Sequence, residues 1–191
     1  VRGAQANGVL ATLKHFPGHG NTDTDTHIDF ASVDGDWDSL ARTELAAFRR
    51  ALEARPGFVM STHLWARALD PEPTPATFSR RALTDVLRDS LGFDGLITTD
   101  ALNMGAIRKN YPFADRVVRP IQAGADLVLM MGTPRAGIRA VVRAVEAGAI
   151  PRAQVEASAR RILRAKGRLG LHRSPLADRD RLDRMLTEVR G

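Results

Sequence analysis

An α/β fold built on a parallel sheet is predicted by three features of this 191-residue sequence. Four short apolar runs with strand character recur, at Val9 to Leu13, Phe58 to Thr62, Gly95 to Thr99 and Ala125 to Met131, with starts 49, 37 and 30 residues apart. The runs are apolar on both faces, as strands covered on both sides are. Helical patterns separate them, and strands alternating with helices read as βα units.

The elements follow in chain order. After the first run, Leu40, Leu45, Phe48 and Leu52 share one helical face, and Pro56-Gly57 stops that helix. The second run leads to Ser79, a residue suited to cap the helix carrying Leu83, Val86, Leu87 and Leu91, which Gly92 ends. After the third run a weaker helical pattern contains Pro120 and closes at Ala123-Gly124. Thr133-Pro134 then opens a helix with Ile138, Val141, Val142 and Val145 as its apolar face and Gly148 as its stop. A last helix from Pro151 carries Val155, Ile162 and Leu163. Four βα units are half of a (β/α)8 TIM barrel, which commonly needs about 250 residues. A four-stranded open α/β sheet has the same periodicity. The start VRGAQANGV lacks an initiator Met, and on that ground the expectation is the last four βα units of a barrel over 1–170, with 171–191 as a charged tail or helix.

Composition narrows the function classes. Hydrophobic residues at 43% exclude disorder, and the absence of cysteine excludes disulfide scaffolds, thiolate metal sites and a cysteine nucleophile. No apolar run approaches the roughly 18 residues that span a bilayer, so no membrane segment is expected, and the compartment is left open. The net charge is +6, yet nine Lys/Arg against two Asp/Glu between Arg135 and Arg168 account for the whole surplus. That stretch has no aromatic residue to stack on bases, so it reads as solvated helix faces and no nucleic-acid partner is expected.

Chemistry in parallel α/β folds sits at the carboxyl ends of the strands. There the first strand gives Lys14-His15-Phe16-Pro17-Gly18-His19-Gly20, followed by a polar loop with six aspartates and no Lys or Arg from Asn21 to Asp38. Asp25 and His27 are two apart, so in extended chain they project to one side, where a carboxylate can orient an imidazole for general acid/base work. A solvated Asx-rich turn has the same spacing. His19, Asp23, Asp25 and His27 can alternatively be read as divalent-metal ligands, although consecutive loop residues rarely converge unaided. Asp100 ends the third strand, as a nucleophile, a base, a ligand or a helix cap. His63 ends the second, as a site residue or a hydrogen-bonded core histidine.

The runs KHFPGHG with Asp25-Thr26-His27, and LGFDGLITTDALNM, resemble glycoside hydrolase family 3, specifically its β-N-acetylglucosaminidase branch, from Leu10 to Leu169. The resemblance implies a retaining hydrolase of terminal β-linked N-acetylglucosamine, with a carbohydrate partner such as a peptidoglycan fragment or chitooligosaccharide and with no cofactor and no metal. It implies Asp100 as nucleophile, His27 as acid/base paired with Asp25, and Lys14 and His15 as sugar-binding residues, and from its place at the second strand's mouth His63 is expected to join them. Further sugar contacts are expected in a missing N-terminal half of the barrel, without which the chain is expected to be inactive. His19 is expected to be structural, fixing the turn around Gly18 and Gly20. β-Glucosidases of the same family, whose acid/base is a Glu from another domain, and a metal-dependent barrel hydrolase are the alternatives. An imidazole acid/base would repel an anionic acceptor less than a carboxylate does, so phosphate can stand in for water.

Overall fold

The computed structural model describes residues 1–19, 31–129, 132–174, 176 and 179–190. After a short helix, α1 (Arg2–Ala6), four parallel strands form one sheet: β1 (Thr12–Phe16), β3 (Phe58–Ser61), β5 (Leu96–Ala101) and β6 (Leu127–Leu129), in the spatial order β1-β3-β5-β6. Sequential order, parallel pairing and intervening helices are those of a partial (β/α)8 barrel. A second parallel pair, β2 (Ser32–Val33) with β4 (Trp65–Ala66), ties the segment after the first loop to the segment after β3.

The first strand begins three residues later than its apolar run suggests. Val9 is 60% exposed and belongs to the approach, whereas polar Lys14 and His15 lie within the strand. The predicted helix through Leu40 and Leu52 forms as two, α2 (Trp37–Arg42) and α3 (Glu44–Leu52), bent at Thr43 where ψ is −85°. Ser79 caps the next helix as expected, its Oγ accepting from the Ala82 N–H at 2.9 Å. That helix, Arg81–Ser90, has the wide turns of a π-helix, with the Leu91 N–H donating to Val86 O. It still buries Leu83, Val86 and Leu87, which join Phe16, Leu45, Phe48, Val59 and Ile97 in the core.

Beyond β5 lie α4 (Gly105–Arg108) and α5 (Phe113–Ala123), the latter accommodating Pro120. Gly124 ends α5 at φ 117°, where a Cβ would come within 2.5 Å of Thr84 Oγ1. The apolar face expected on α6 (Pro134–Glu146) is only partly buried. This helix packs on α5 through Gly137 and Ala140, whose small side chains permit close approach, and Ile138 and Val142 stay 62% and 47% exposed. α7 (Arg152–Arg168) crosses the amino end of the sheet, and α8 (Arg179–Arg190) follows. Beside α7 a cavity of about 460 Å³ is lined by Leu10, Phe58, Leu96, Leu127, Ile162 and Leu169, so apolar residues at the strand starts face open space.

One buried carboxylate joins these layers. Asp126 has no exposed side-chain surface. Its Oδ2 accepts from Arg88 Nη2 at 2.8 Å and from the Ile97 N–H at 2.9 Å, and its Oδ1 accepts from Ser158 Oγ at 2.7 Å and Arg161 Nη1 at 2.9 Å. The π-helix, β5 and α7 thus meet at one side chain. Burial lowers the Arg88 pKa from the usual arginine value, and the Asp126 charge opposes that shift. Asp126→Ala strands this guanidinium without its counter-charge. It is expected to lower stability by about 3–5 kcal/mol, whereas Asp34→Ala, which removes an exposed pair with Arg67, costs about 0–1 kcal/mol. Urea unfolding of the two variants checks the difference.

Candidate active site

The carboxyl ends of β1 and β5 both depart from regular pairing. On β1, Leu13 sits beside Val59 and Phe16 beside Ser61, so three steps on one strand match two on its neighbour. On β5, Thr98 sits beside Leu127 and Ala101 beside Leu129, again three steps against two. Each irregularity adds one residue to its strand. Such bulges re-aim side chains and gather beside active sites, and the residues in them are Lys14 and His15 on β1 and Thr99 and Asp100 on β5. Where the β5 ladder is interrupted, Thr99 Oγ1 accepts the Leu129 N–H at 2.9 Å and keeps that backbone group satisfied.

The two bulges bring His15 and Asp100 together across the intervening strand, with His15 Nε2 3.5 Å from Asp100 Oδ2. The Asp100 side chain is 19% exposed, and its Oδ1 accepts the Ala101 N–H at 2.7 Å. One carboxylate oxygen is therefore held by the backbone while the other faces an imidazole at the mouth of the sheet. His19 lies beside His15, with ring centroids 5.8 Å apart and planes tilted by 60°. Lys14 is exposed immediately before His15. Beyond β1 the chain passes the cis Phe16–Pro17 peptide bond and turns at Gly18, against which α3 packs closely.

His63 lies elsewhere than a sugar contact would. It is fully buried, its Nε2 is 3.0 Å from the Ala101 carbonyl, and its Nδ1 is 3.0 Å from Thr77 Oγ1. Both ring nitrogens are engaged by protein atoms beneath the mouth, so the ring supports the strand end and offers no surface to a ligand. Asp23, Asp25 and His27, which carry the acid/base and metal readings, lie outside the described residues. Among the described residues no group of three or more His, Asp or Glu is placed to hold a metal. Thr77 was missed by sequence reading. It belongs to the short helical turn Ala76–Phe78, more than a dozen residues from its partners, and no local pattern distinguishes it.

The Gly18 turn can be tested. A Cβ there would lie 2.2 Å from Glu44 Cγ and 2.7 Å from Glu44 Cβ, at φ 154°, so Gly18→Ala must displace α3 or the turn. A loss of about 1–3 kcal/mol is expected. Gly167→Ala, on α7 with nothing within 4 Å of the added carbon, is expected to stabilise by about 0.5–1 kcal/mol through helix propensity. Thermal melts of both variants decide.

Comparison with known proteins gives the family. The model for the glycosyl hydrolase family 3 N terminal domain matches residues 1–165. The curated β-hexosaminidase of Nitrosomonas eutropha is 37% identical over 134 residues, which cover 70% of this chain and 38% of that protein. The solved family 3 β-N-acetylglucosaminidase from Paenibacillus sp. str. FPU-7 has a TM-score of 0.88 at 39% identity, covering 93% of this chain and 34% of that one. The β-glucoside phosphorylase BglX has a TM-score of 0.83 at 27% identity, over 89% of this chain and 32% of that one. The chain spans 24% to 40% of the length of the curated relatives it matches.

Proposed function

The chain belongs to glycosyl hydrolase family 3, and from that premise we propose that it supplies the nucleophile-bearing half of a retaining β-N-acetylglucosaminidase barrel. The observation that carries this reading is Asp100, with Oδ1 held by the Ala101 N–H and Oδ2 turned toward His15 at the carboxyl edge of a parallel sheet.

The reaction has two displacements. In the first, an Asp100 oxygen attacks the anomeric carbon of a terminal β-linked N-acetylglucosamine, a C–O bond to Asp100 forms, and the glycosidic C–O bond breaks. His27 gives its proton to the departing oxygen, and Asp25 steadies the imidazolium before transfer. In the second, His27 takes a proton from water as its oxygen attacks the same carbon, releasing the sugar with retained configuration and restoring the Asp100 carboxylate. His15 and the exposed Lys14 hydrogen-bond sugar hydroxyls. Peptidoglycan fragments and chitooligosaccharides present the required terminal residue.

The four βα units that would close the barrel cover the open apolar residues at the strand starts and pair with the outer strands β1 and β6. In this reading residues 1–170 act as the second half of that domain, 171–191 extend beyond it, and turnover requires both halves. Phosphate in place of water is a second reading, favoured by the likeness to a β-glucoside phosphorylase. It gives the sugar 1-phosphate through the same two steps.

In the complete gene product, Asp100→Ala is expected to lower kcat on an aryl N-acetyl-β-glucosaminide by about 10⁴-fold or more. His27→Ala is expected to cost far more on alkyl than on nitrophenyl leaving groups, because a good leaving group needs no proton. The isolated chain is expected to show no turnover. A drop of less than tenfold for Asp100→Ala would discard the nucleophile assignment. Loss of activity in EDTA with recovery in zinc would favour a metal-dependent hydrolase. Free sugar as sole product in phosphate buffer would remove the phosphorolytic variant.

A further inference from the structure

Beneath Asp100 runs a chain of buried polar groups that the two-displacement scheme does not use. Ser61, His63, Thr77 and the Thr62 carbonyl converge there, and the side chains of all three named residues are fully buried. Thr77 Oγ1 is 2.9 Å from Ser61 Oγ, 3.0 Å from His63 Nδ1 and 2.8 Å from Thr62 O. At the far end, His63 Nε2 is 3.0 Å from Ala101 O. A carbonyl oxygen can only accept, so Nε2 carries a proton and donates it. The Thr62 carbonyl is likewise a pure acceptor and takes the one Thr77 hydroxyl proton, and the same Oγ1 stands against His63 Nδ1 as its hydrogen-bond partner. Thr62 O also accepts the Thr77 backbone N–H at 3.0 Å, and with the Thr77 proton so used the Ser61 hydroxyl donates to Thr77 Oγ1. The hydrogen-bonded contacts run from Ser61 through Thr77 and His63 to Ala101.

Ala101 is where this chain meets the chemistry. Its N–H donates to Asp100 Oδ1 at 2.7 Å. The peptide that follows it is gripped on both sides, with the carbonyl receiving from His63 and the Leu102 N–H donating to Leu129 O at 2.9 Å. Because β5 bulges at Thr99 and Asp100, ladder pairing resumes only at Ala101, beside Leu129, and the His63 ring holds the carbonyl at that point. The geometry points to His63 and Thr77 as positioning residues for the nucleophile. They fix Ala101, Ala101 fixes Oδ1, and Oδ2 is left as the oxygen that attacks. Three hydrogen bonds, by way of His63 and Ala101, connect Thr77 to the reacting carboxylate. The inference rests on Asp100 being the nucleophile.

Misplacing a reacting group by about 1 Å can cost about 100-fold in rate. In the complete gene product, Thr77→Val removes the hydroxyl that links the Thr62 carbonyl to His63 Nδ1 while keeping the shape of the side chain, and it is expected to lower kcat about 10- to 100-fold with KM changed less than threefold. Thr77→Ser restores the hydroxyl and is expected to stay within threefold of the parent. His63→Gln, whose amide can still donate to Ala101 O, is expected to retain more activity than His63→Leu. Rates are expressed per site labelled to completion by a 2-fluoro glycosyl inactivator, so that a smaller folded fraction does not imitate a slower enzyme. If kcat per labelled site is unchanged in Thr77→Val, or if Thr77→Ser falls as far as Thr77→Val, the positioning role is overturned. An active Asp100→Ala enzyme would overturn the nucleophile assignment itself, and an inactive one with unaffected Thr77→Val would overturn the positioning role alone.

Discussion

The Asp126 carboxylate, wholly removed from solvent, organises the amino end of this fold. An unpaired buried charge costs several kcal/mol, so such a group persists only where donors converge on it. Here four do, two of them charged, and they come from three different elements. The Ile97 N–H is the telling partner. It lies near the start of β5, so the same side chain that docks the π-helix and α7 also sets where β5 begins, three residues before Asp100. Hydrophobic burial, of which Leu83, Leu87 and Ile97 are part, is the dominant favourable term in folding but is not directional. The directional contacts at Asp126 decide how the layers sit over one another.

At the opposite end the demands reverse. A strand that continued its regular ladder through Asp100 would alternate side chains between the two faces of the sheet, and the carboxylate would be aimed by pleat alone. One additional residue in β5 and one in β1 change the aim of Asp100 and His15, and the ladder is broken in both places. Broken ladders leave backbone groups to be satisfied by other means. The Thr99 hydroxyl takes the Leu129 N–H, and the His63 ring takes the Ala101 carbonyl. The polar side chains of His63, Thr98 and Thr99 at the strand ends thus do for an irregular backbone what main-chain pairing does in the middle of the sheet.

Amphipathic helices and the mouth residues were the legible part of the sequence. The face through Leu83, Val86 and Leu87 was readable because its spacing repeats on every turn, and it survives the widening to a π-helix. The family resemblance singles out Asp100 and His15, which lie 3.5 Å apart in the fold. The placement of β1 was less legible, because Lys14 and His15 read as loop residues although they lie in a bulged strand. Ile138 and Val142 read as a buried face because periodicity identifies an apolar stripe but not what covers it, and α6 meets α5 through Gly137 and Ala140 instead. Asp126 was not legible at all. Following Gly124-Ala125, it looks like an ordinary turn residue, and its partners Arg88, Ile97, Ser158 and Arg161 lie 29 to 38 residues away. Thr77 is hidden by the same non-locality, with Ser61 16 residues before it. Such polar convergence is a property of the folded chain and leaves no period behind.

Two carboxylates at opposite ends of adjacent strands show how environment divides structure from reactivity. Asp126 spends both oxygens on four donors and has no exposed surface, so no lone pair is left to approach a carbon atom. Asp100 spends one oxygen on one backbone N–H and keeps the other beside an imidazole in a partly open mouth. A nucleophile needs both conditions together: enough fixation that its orbital points at the electrophile, and one oxygen whose interactions can be exchanged for a covalent bond without unfolding anything. In a single-donor arrangement the loss on reaction is confined to that free oxygen. In the four-donor arrangement it would spread through the π-helix, β5 and α7. The same functional group is therefore a fastener at the floor of the sheet and, in the proposed reaction, a reagent at its rim, and the number of donors around it makes the difference.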